Sequence, residues 1–164
     1  MQPERRLAFT GFDDDDGTAD PALAAALLSR DQGAILAALT KARLLVPVVA
    51  MLGEVEYDDQ GLAHDKTSDM AVALLQGQDG RNALLAFTST DSLARWSPEA
   101  RPMPAQSQLV ATAAIQEGAA AIVLDVAGPA PGVLETDDVR RLAAGLQVVR
   151  LEDGGYGWIT SAGG

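Results

Sequence analysis

DMAVALLQGQDGRNALLAFTS, residues 69–89, carries two apolar runs, Met70 to Leu75 and Asn82 to Phe87, separated by the polar segment Gln76 to Arg81. Asp79-Gly80 sits inside that segment, and glycine tolerates the positive φ that a twist-matched turn demands, so the stretch is a β-hairpin. The two strands are expected to be antiparallel neighbours spanning residues 70–87. Both runs are almost continuously apolar rather than alternating, which predicts cover on both faces of the sheet. Ala71, Ala73, Ala83 and Ala86 would let helices approach closely. The flanks, Lys66 to Asp69 and Phe87 to Ser89, would lie side by side at the end opposite the turn, the sharpest place to look for chemistry.

Working outward, Asp20 followed by Pro21 announces a helix over PALAAALLSR, because the carboxylate accepts from early amides and proline needs no donor at the first position. Asp31 caps a second helix through GAILAALTKAR, with Ile35, Leu36 and Leu39 at helical spacing. LLVPVVAML, residues 44–52, is a strand in which Pro47 argues for an edge, a bulge or the strand's beginning. Residues 53–68 are an exposed connection with a turn at DDQG, where insertion or deletion should be cheap.

After the hairpin, Ser89 or Thr90 caps a short helix, DSLARW, ended by Pro98. Pro98, Pro102 and Pro104 then favour an extended path. SQLVATAAIQEG is an amphipathic helix with Leu109, Ala113 and Ile115 turned inward and Gly118 as its stop. AAAIVLDVAG is a strand, GPAPG a loop, and Thr136 caps DDVRRLAA, which Gly145 stops. LQVVRL and YGWIT close a last hairpin around residues 152–155. The expected architecture is one compact α+β (mixed α/β) domain over residues 20–160, its mixed or antiparallel sheet covered by helices. Residues 1–19 form a flexible acidic N-terminal arm and 161–164 a tail.

Hydrophobic residues make up 48% of the 164-residue chain but aromatics only 4%, so Ala, Leu and Val must fill the core. Twelve Lys and Arg face twenty-three Asp and Glu, a formal charge of −11, which disfavours nucleic acid and anionic membranes. No apolar run approaches the roughly 20 residues that span a bilayer. The first residues show no stretch of signal-peptide pattern, and the expected setting is cytoplasmic.

Cysteine is absent, which excludes disulfides, thiolate catalysis and Cys-ligated zinc. Asp13 to Asp16 before Gly17 does not make an EF-hand, because Phe12 and Leu23 stand where acids are needed. His64 is the single histidine, so a two-histidine metal site cannot form within one chain. Ser68, His64 and Asp69 include the residue types of a catalytic triad, yet no G-x-S-x-G turn presents the serine. Gly155-Tyr156-Gly157 lacks the third glycine and the following helix of a dinucleotide fingerprint. The acidic pairs at 58–59, 137–138 and 152–153 diverge or cap helices rather than share a proton. No catalytic residue, metal or cofactor is assigned.

Trp96 lies three residues after Leu93, on the same helical face, where it serves either as a lid over the sheet or, with the RPMP segment, as the wall of a partner groove. KTSDMA before a strand, DGR in the turn, ALLAFTS, a tryptophan after S-L, ARPMP and the later EGAAAIVLDVAGP occur in one order over roughly residues 35–145. This ordered set resembles the SseB family, whose members carry the N-terminal domain of the enhanced serine sensitivity protein, and particularly its short actinobacterial members. The resemblance implies a compact α+β domain with no established catalytic residues and no cofactor. It maps onto Lys66, Ser68, Asp69, Gly80, Arg81, Phe87, Thr88, Ser89, Trp96, Arg101, Pro102 and Pro104.

The expected function is a non-enzymatic protein-interaction or adaptor module that binds an unidentified protein partner or itself through the 88–104 surface. The alternative is a small-molecule-binding domain or an enzyme, with Lys66, Asp69, Thr88, Ser89 and Arg101 converging near strand ends. Candidate binding residues under the two readings together are Lys66, Ser68, Asp69, Thr88, Ser89, Trp96, Arg101, Pro102 and Pro104.

Overall fold

The computed structural model describes residues 15–49, 55–57, 63–65 and 71–160. Helix α1 (Pro21–Ser29) starts where Asp20 accepts from the Ala22 and Leu23 amides. Asp31 caps α2 (Gln32–Leu39) by accepting from Ala34. Gly33, early in α2, lies under the Tyr156 ring; a Cβ there would stand 2.7 Å from Cδ1. The glycine that weakens the helix's own start is therefore what lets the last hairpin press on it.

Strand β1 (Arg43–Val49) follows, and a short ladder pairs β2 (Val55–Tyr57) with β3 (Ala63–Asp65). β4 (Ala71–Val72) then pairs antiparallel with β1, Val48 opposite Val72 and Val49 opposite Ala71. Both ladders are symmetric about position 60, so they share the register of one hairpin; the expected turn at DDQG lies outside the described residues. The stretch read as a plain connection thus contains two strands. Only Val55 and Tyr57 alternate there among acids, too short a pattern to signal them.

The expected 70–87 hairpin is present but its first arm is split. β5 (Leu74–Gln76) pairs with β6 (Asn82–Ala86) across a turn closed by the Gly80 amide on the Gly77 carbonyl, with Gly80 at φ +83°. Its upstream continuation, β4, has crossed to β1. β5 is a sheet edge, and Leu74 and Leu75 are 39% and 45% exposed, so cover is incomplete there. Helix α3 (Thr90–Trp96) leads to β7 (Arg101–Gln106), and α4 (Ser107–Gln116) to β8 (Ala121–Leu124). β8 lies parallel to β6 and antiparallel to β9 (Gly132–Leu134), giving the order β5-β6-β8-β9. Helix α5 (Thr136–Ala143) precedes the hairpin of β10 (Gln147–Arg150) and β11 (Tyr156–Ile159). Thr136 does not cap α5; that position belongs to Glu135, and the Thr136 hydroxyl donates to the Ala120 carbonyl.

β1 is the middle strand of the order β4-β1-β7, not an edge. Leu45 and Phe87 exchange both backbone hydrogen bonds, at 2.7 and 2.8 Å, on the edge of β1 that β4 also uses. By strand alternation Pro47 directs its missing donor to that same edge, between the Phe87 bridge and β4, where no ladder pair exists. The same alternation turns Pro102 and Pro104 of β7 away from β1, so an outer edge strand loses donors it would otherwise leave unpaired.

Two apolar clusters sandwich the sheets. The larger joins α1, α2, α4 and α5 to Leu44, Val46, Leu84, Ile122 and Leu124; the smaller, on the other face, is Leu45, Leu85, Phe87 and Leu93 with Trp96. Helix α4 is rotated from expectation. Val110, Ala111 and Ala114 are buried, whereas Leu109 and Ile115 are 61% and 46% exposed. In an alanine-rich helix, small residues bring the backbone close to the sheet, and the larger side chains are displaced outward.

Gly33→Ala should cost about 1–3 kcal/mol, because the added methyl overpacks against Tyr156. Leu109→Ala should stay within about 0.5 kcal/mol. Urea midpoints at constant slope check both, and a large loss at Leu109 would contradict the helix rotation.

Candidate functional site

The parallel pair β6–β8 directs its carboxyl ends to one place, where mixed sheets tend to hold ligands. The chain leaves β8 at Asp125, which takes φ +49°, a left-handed conformation that aspartate tolerates better than branched residues. Its carboxylate accepts from the Thr88 amide at 2.8 Å and the Thr88 hydroxyl at 2.7 Å. Asp125 is 3% exposed and Thr88 4%. A hydroxyl beside a carboxylate has the components of an activated nucleophile. Enclosed to this degree, the pair has no room for a substrate and acts as a latch between the strand ends.

Thr88 is also tied outward, its carbonyl accepting from Arg43 Nη1 at 2.6 Å. Arg43 then grips Asp15 with Nε and Nη2, the second at 2.9 Å, and Nη2 also donates to the Thr18 carbonyl at 2.6 Å. The Arg43 guanidinium beside it holds the Asp15 carboxyl below its ordinary value, against the opposing effect of burial. The Thr90 amide donates to the Gly17 carbonyl at 2.8 Å. Residues 15–19, expected to belong to a flexible arm, are therefore seated on the strand ends; residues 1–14 lie outside the described residues.

The other candidates are dispersed. Ser89 caps α3, its hydroxyl accepting from the Ser92 amide in a capping box. Trp96 is half-buried and its ring packs on Phe87, centroids 5.6 Å apart at 34°, so its inner side covers the sheet and the rest of it stays at the surface. Pro104 is buried opposite Leu45, and Pro102 lies opposite Pro47. Arg101 is exposed opposite Val48, five residues along β1 from Arg43 and so about 17 Å from the Thr88 end. Lys66, Ser68 and Asp69 lie outside the described residues, but the chain enters β4 beside Val49, at the end of β1 remote from Thr88. Within the described residues the first arm crosses to β1 at β4 instead of running on beside β6.

A cleft of about 520 Å³ is lined by Asp15, Thr18, Lys41, Arg43, Ser107 and Gln108 among others. A second, about 500 Å³, shares Thr40 and Gln108 and continues along Leu142, Gly145 and Thr160. None of Thr88, Ser89, Trp96 and Arg101 lines either. Among the described residues no three His, Cys, Asp or Glu side chains gather as metal ligands, and every buried side-chain nitrogen and oxygen has a partner. No described helix is long and apolar enough to cross a membrane.

Sequence reading passed over Arg43 and Asp125, and it placed Asp15 in the acidic arm with no partner. For the first two a signal existed: each is the lone charge bordering an apolar run, LLVPVV or AAIVL, where a charge is retained only with a partner.

Residues 20–141 match the model of a protein family described as SseB protein N-terminal domain. No curated protein and no solved structure gave a match.

Thr88→Val should cost about 1–3 kcal/mol, since it leaves one Asp125 oxygen without its buried donor. Asp15 carries a folded pKa below its unfolded value near 3.8, so its contribution is full at neutral pH and is lost as pH falls below about 4 through the folded value. The urea midpoint of wild type should exceed that of Asp15→Asn at pH 7, and the difference should shrink toward zero on acidification. A difference constant down to the acid limit would refute the ion-pair account.

Proposed function

This chain belongs to the SseB family, and from that premise we propose that it is a non-enzymatic protein-interaction or adaptor module of the cytoplasm. One observation carries the reading. The place at the strand ends where a substrate would sit is occupied by the chain's own groups, Asp125 on Thr88 and Arg43 on Asp15, each engaged with the other. The surface proposed for the partner runs from the outer edge of Trp96 past Arg95 to Arg101 and Pro102. Arg95 and Arg101 are exposed, and Trp96 is anchored from below by Phe87, as aromatic and arginine hot spots at interfaces commonly are. Strand addition is not the proposed mode on the β7 edge, because Pro102 and Pro104 remove its outward donors. A partner there would be read through side chains.

A second reading is favoured by the adjoining clefts, whose volumes fall within the usual range for small-molecule sites. Such a ligand would sit near Thr40 and Gln108, away from the hairpin end.

Affinity capture with the tagged full chain separates the readings. The captured set should shrink on Trp96→Ala and on Arg101→Ala and persist on Leu109→Ala. Retention of every partner by both substituted chains would remove the proposed surface. A small-molecule thermal shift abolished by Gln108→Ala would favour the cleft instead.

A further inference from the structure

The segment Asp15 to Thr18 is held almost wholly by polar contacts to groups that are preorganised without it. Arg43 is fixed through Nη1 by the Thr88 carbonyl, and Thr88 is fixed in turn by buried Asp125, so the Nε and Nη2 fork points at Asp15 independently of what fills it. The side chains of Arg43 and Asp15 are 12% and 10% exposed. Gly17 fits against Thr90 for want of a side chain: a Cβ would stand 2.7 Å from Thr90 Cγ2, and φ is +84°. Two backbone bonds complete the seat, Thr90 N–H to the Gly17 carbonyl and Arg43 Nη2 to the Thr18 carbonyl. The match to the family begins at residue 20, so Arg43, Thr88 and Thr90 lie within the family domain and the occupant lies before it.

We propose that Arg43, Thr88 and Thr90 form a receptor slot for an Asp-x-Gly peptide segment of another protein, and that residues 15–18 close it in cis as a displaceable pseudo-ligand. The first position requires a carboxylate that can accept two parallel bonds from a guanidinium, a geometry a lysine would not reproduce. The third requires glycine. The neighbouring cleft along Lys41 and Ser107 leaves space for the rest of such a peptide. No apolar side chain anchors the occupant, since Asp15, Asp16, Gly17 and Thr18 bring none, and its retention rests on the tether to α1. This inference does not depend on the Trp96 surface.

A fluorescein-labelled peptide of residues 12–20, FDDDDGTAD, is titrated against the full-length chain by anisotropy. Wild type is compared with Asp15→Asn and Gly17→Ala, each of which loosens the occupant and leaves the receptor intact. Circular dichroism establishes that each chain is folded, and either opened variant suffices for the comparison. The opened chains should bind the peptide at least about tenfold more tightly than wild type, whose competent state is only fractionally populated. Binding should vanish when the peptide's residue 15 is asparagine and when Arg43→Lys is added to Gly17→Ala. Equal titrations for wild type and both opened chains, or undiminished binding of the asparagine peptide, would overturn the proposal.

Discussion

Leu45 and Phe87 exchange two backbone hydrogen bonds, and this single bridge joins the two main sheets, β1 in one to the end of β6 in the other. Everything near the strand ends follows from that junction. Because Phe87 is held at Leu45, the next residue, Thr88, offers its carbonyl to Arg43 and its amide and hydroxyl to Asp125. Because β4 uses the same edge of β1 a few residues on, the chain must leave β6 at Ala73, and the fork between them falls where Pro47 has no hydrogen to give. The apolar side chains of the junction, Leu45, Leu85 and Phe87, form the smaller cluster under α3, and Trp96 closes it. Packing and hydrogen bonding thus fix the same point from both sides.

Much of this architecture was legible because local chemistry and tertiary need agreed. Asp20 with Pro21, Asp31, Ser89, and the glycines at 80, 118 and 145 mark element ends in the sequence and do so in the fold. The failures share a cause: the decisive partner was distant. Pro47 reads as a sign of an edge, a bulge or the strand's beginning unless one knows that Phe87 and β4 divide that edge of its own strand. Leu109 and Ile115 read as core unless one knows that α4 approaches the sheet through alanines. The split of the 70–87 arm at Ala73 leaves no trace in composition, since both halves are equally apolar.

The site was less legible than the fold. Thr88 and Ser89 were singled out for position, and both proved to be structural hydrogen-bonding residues at that position. Their partners were missed because an isolated Arg or Asp beside an apolar run signals only that a counterpart exists. It does not say that Asp125 answers Thr88 across 37 residues or that Arg43 reaches back 28 residues to Asp15. Charge complementarity within a single acidic chain was hidden by the total of −11, in which Asp15 is one acid among many.

The alternating prolines of β7 have a consequence for the protein in a crowded solution. An edge strand whose outward positions carry Pro102 and Pro104 offers no amide ladder on which an unfolded neighbour could template, so cross-β misassembly has no foothold there. The hazard passes to β5, an edge with Leu74 and Leu75 partly in water and no proline to interrupt it. In a chain otherwise kept apart by its own negative charge, that short leucine edge is where colloidal failure would begin.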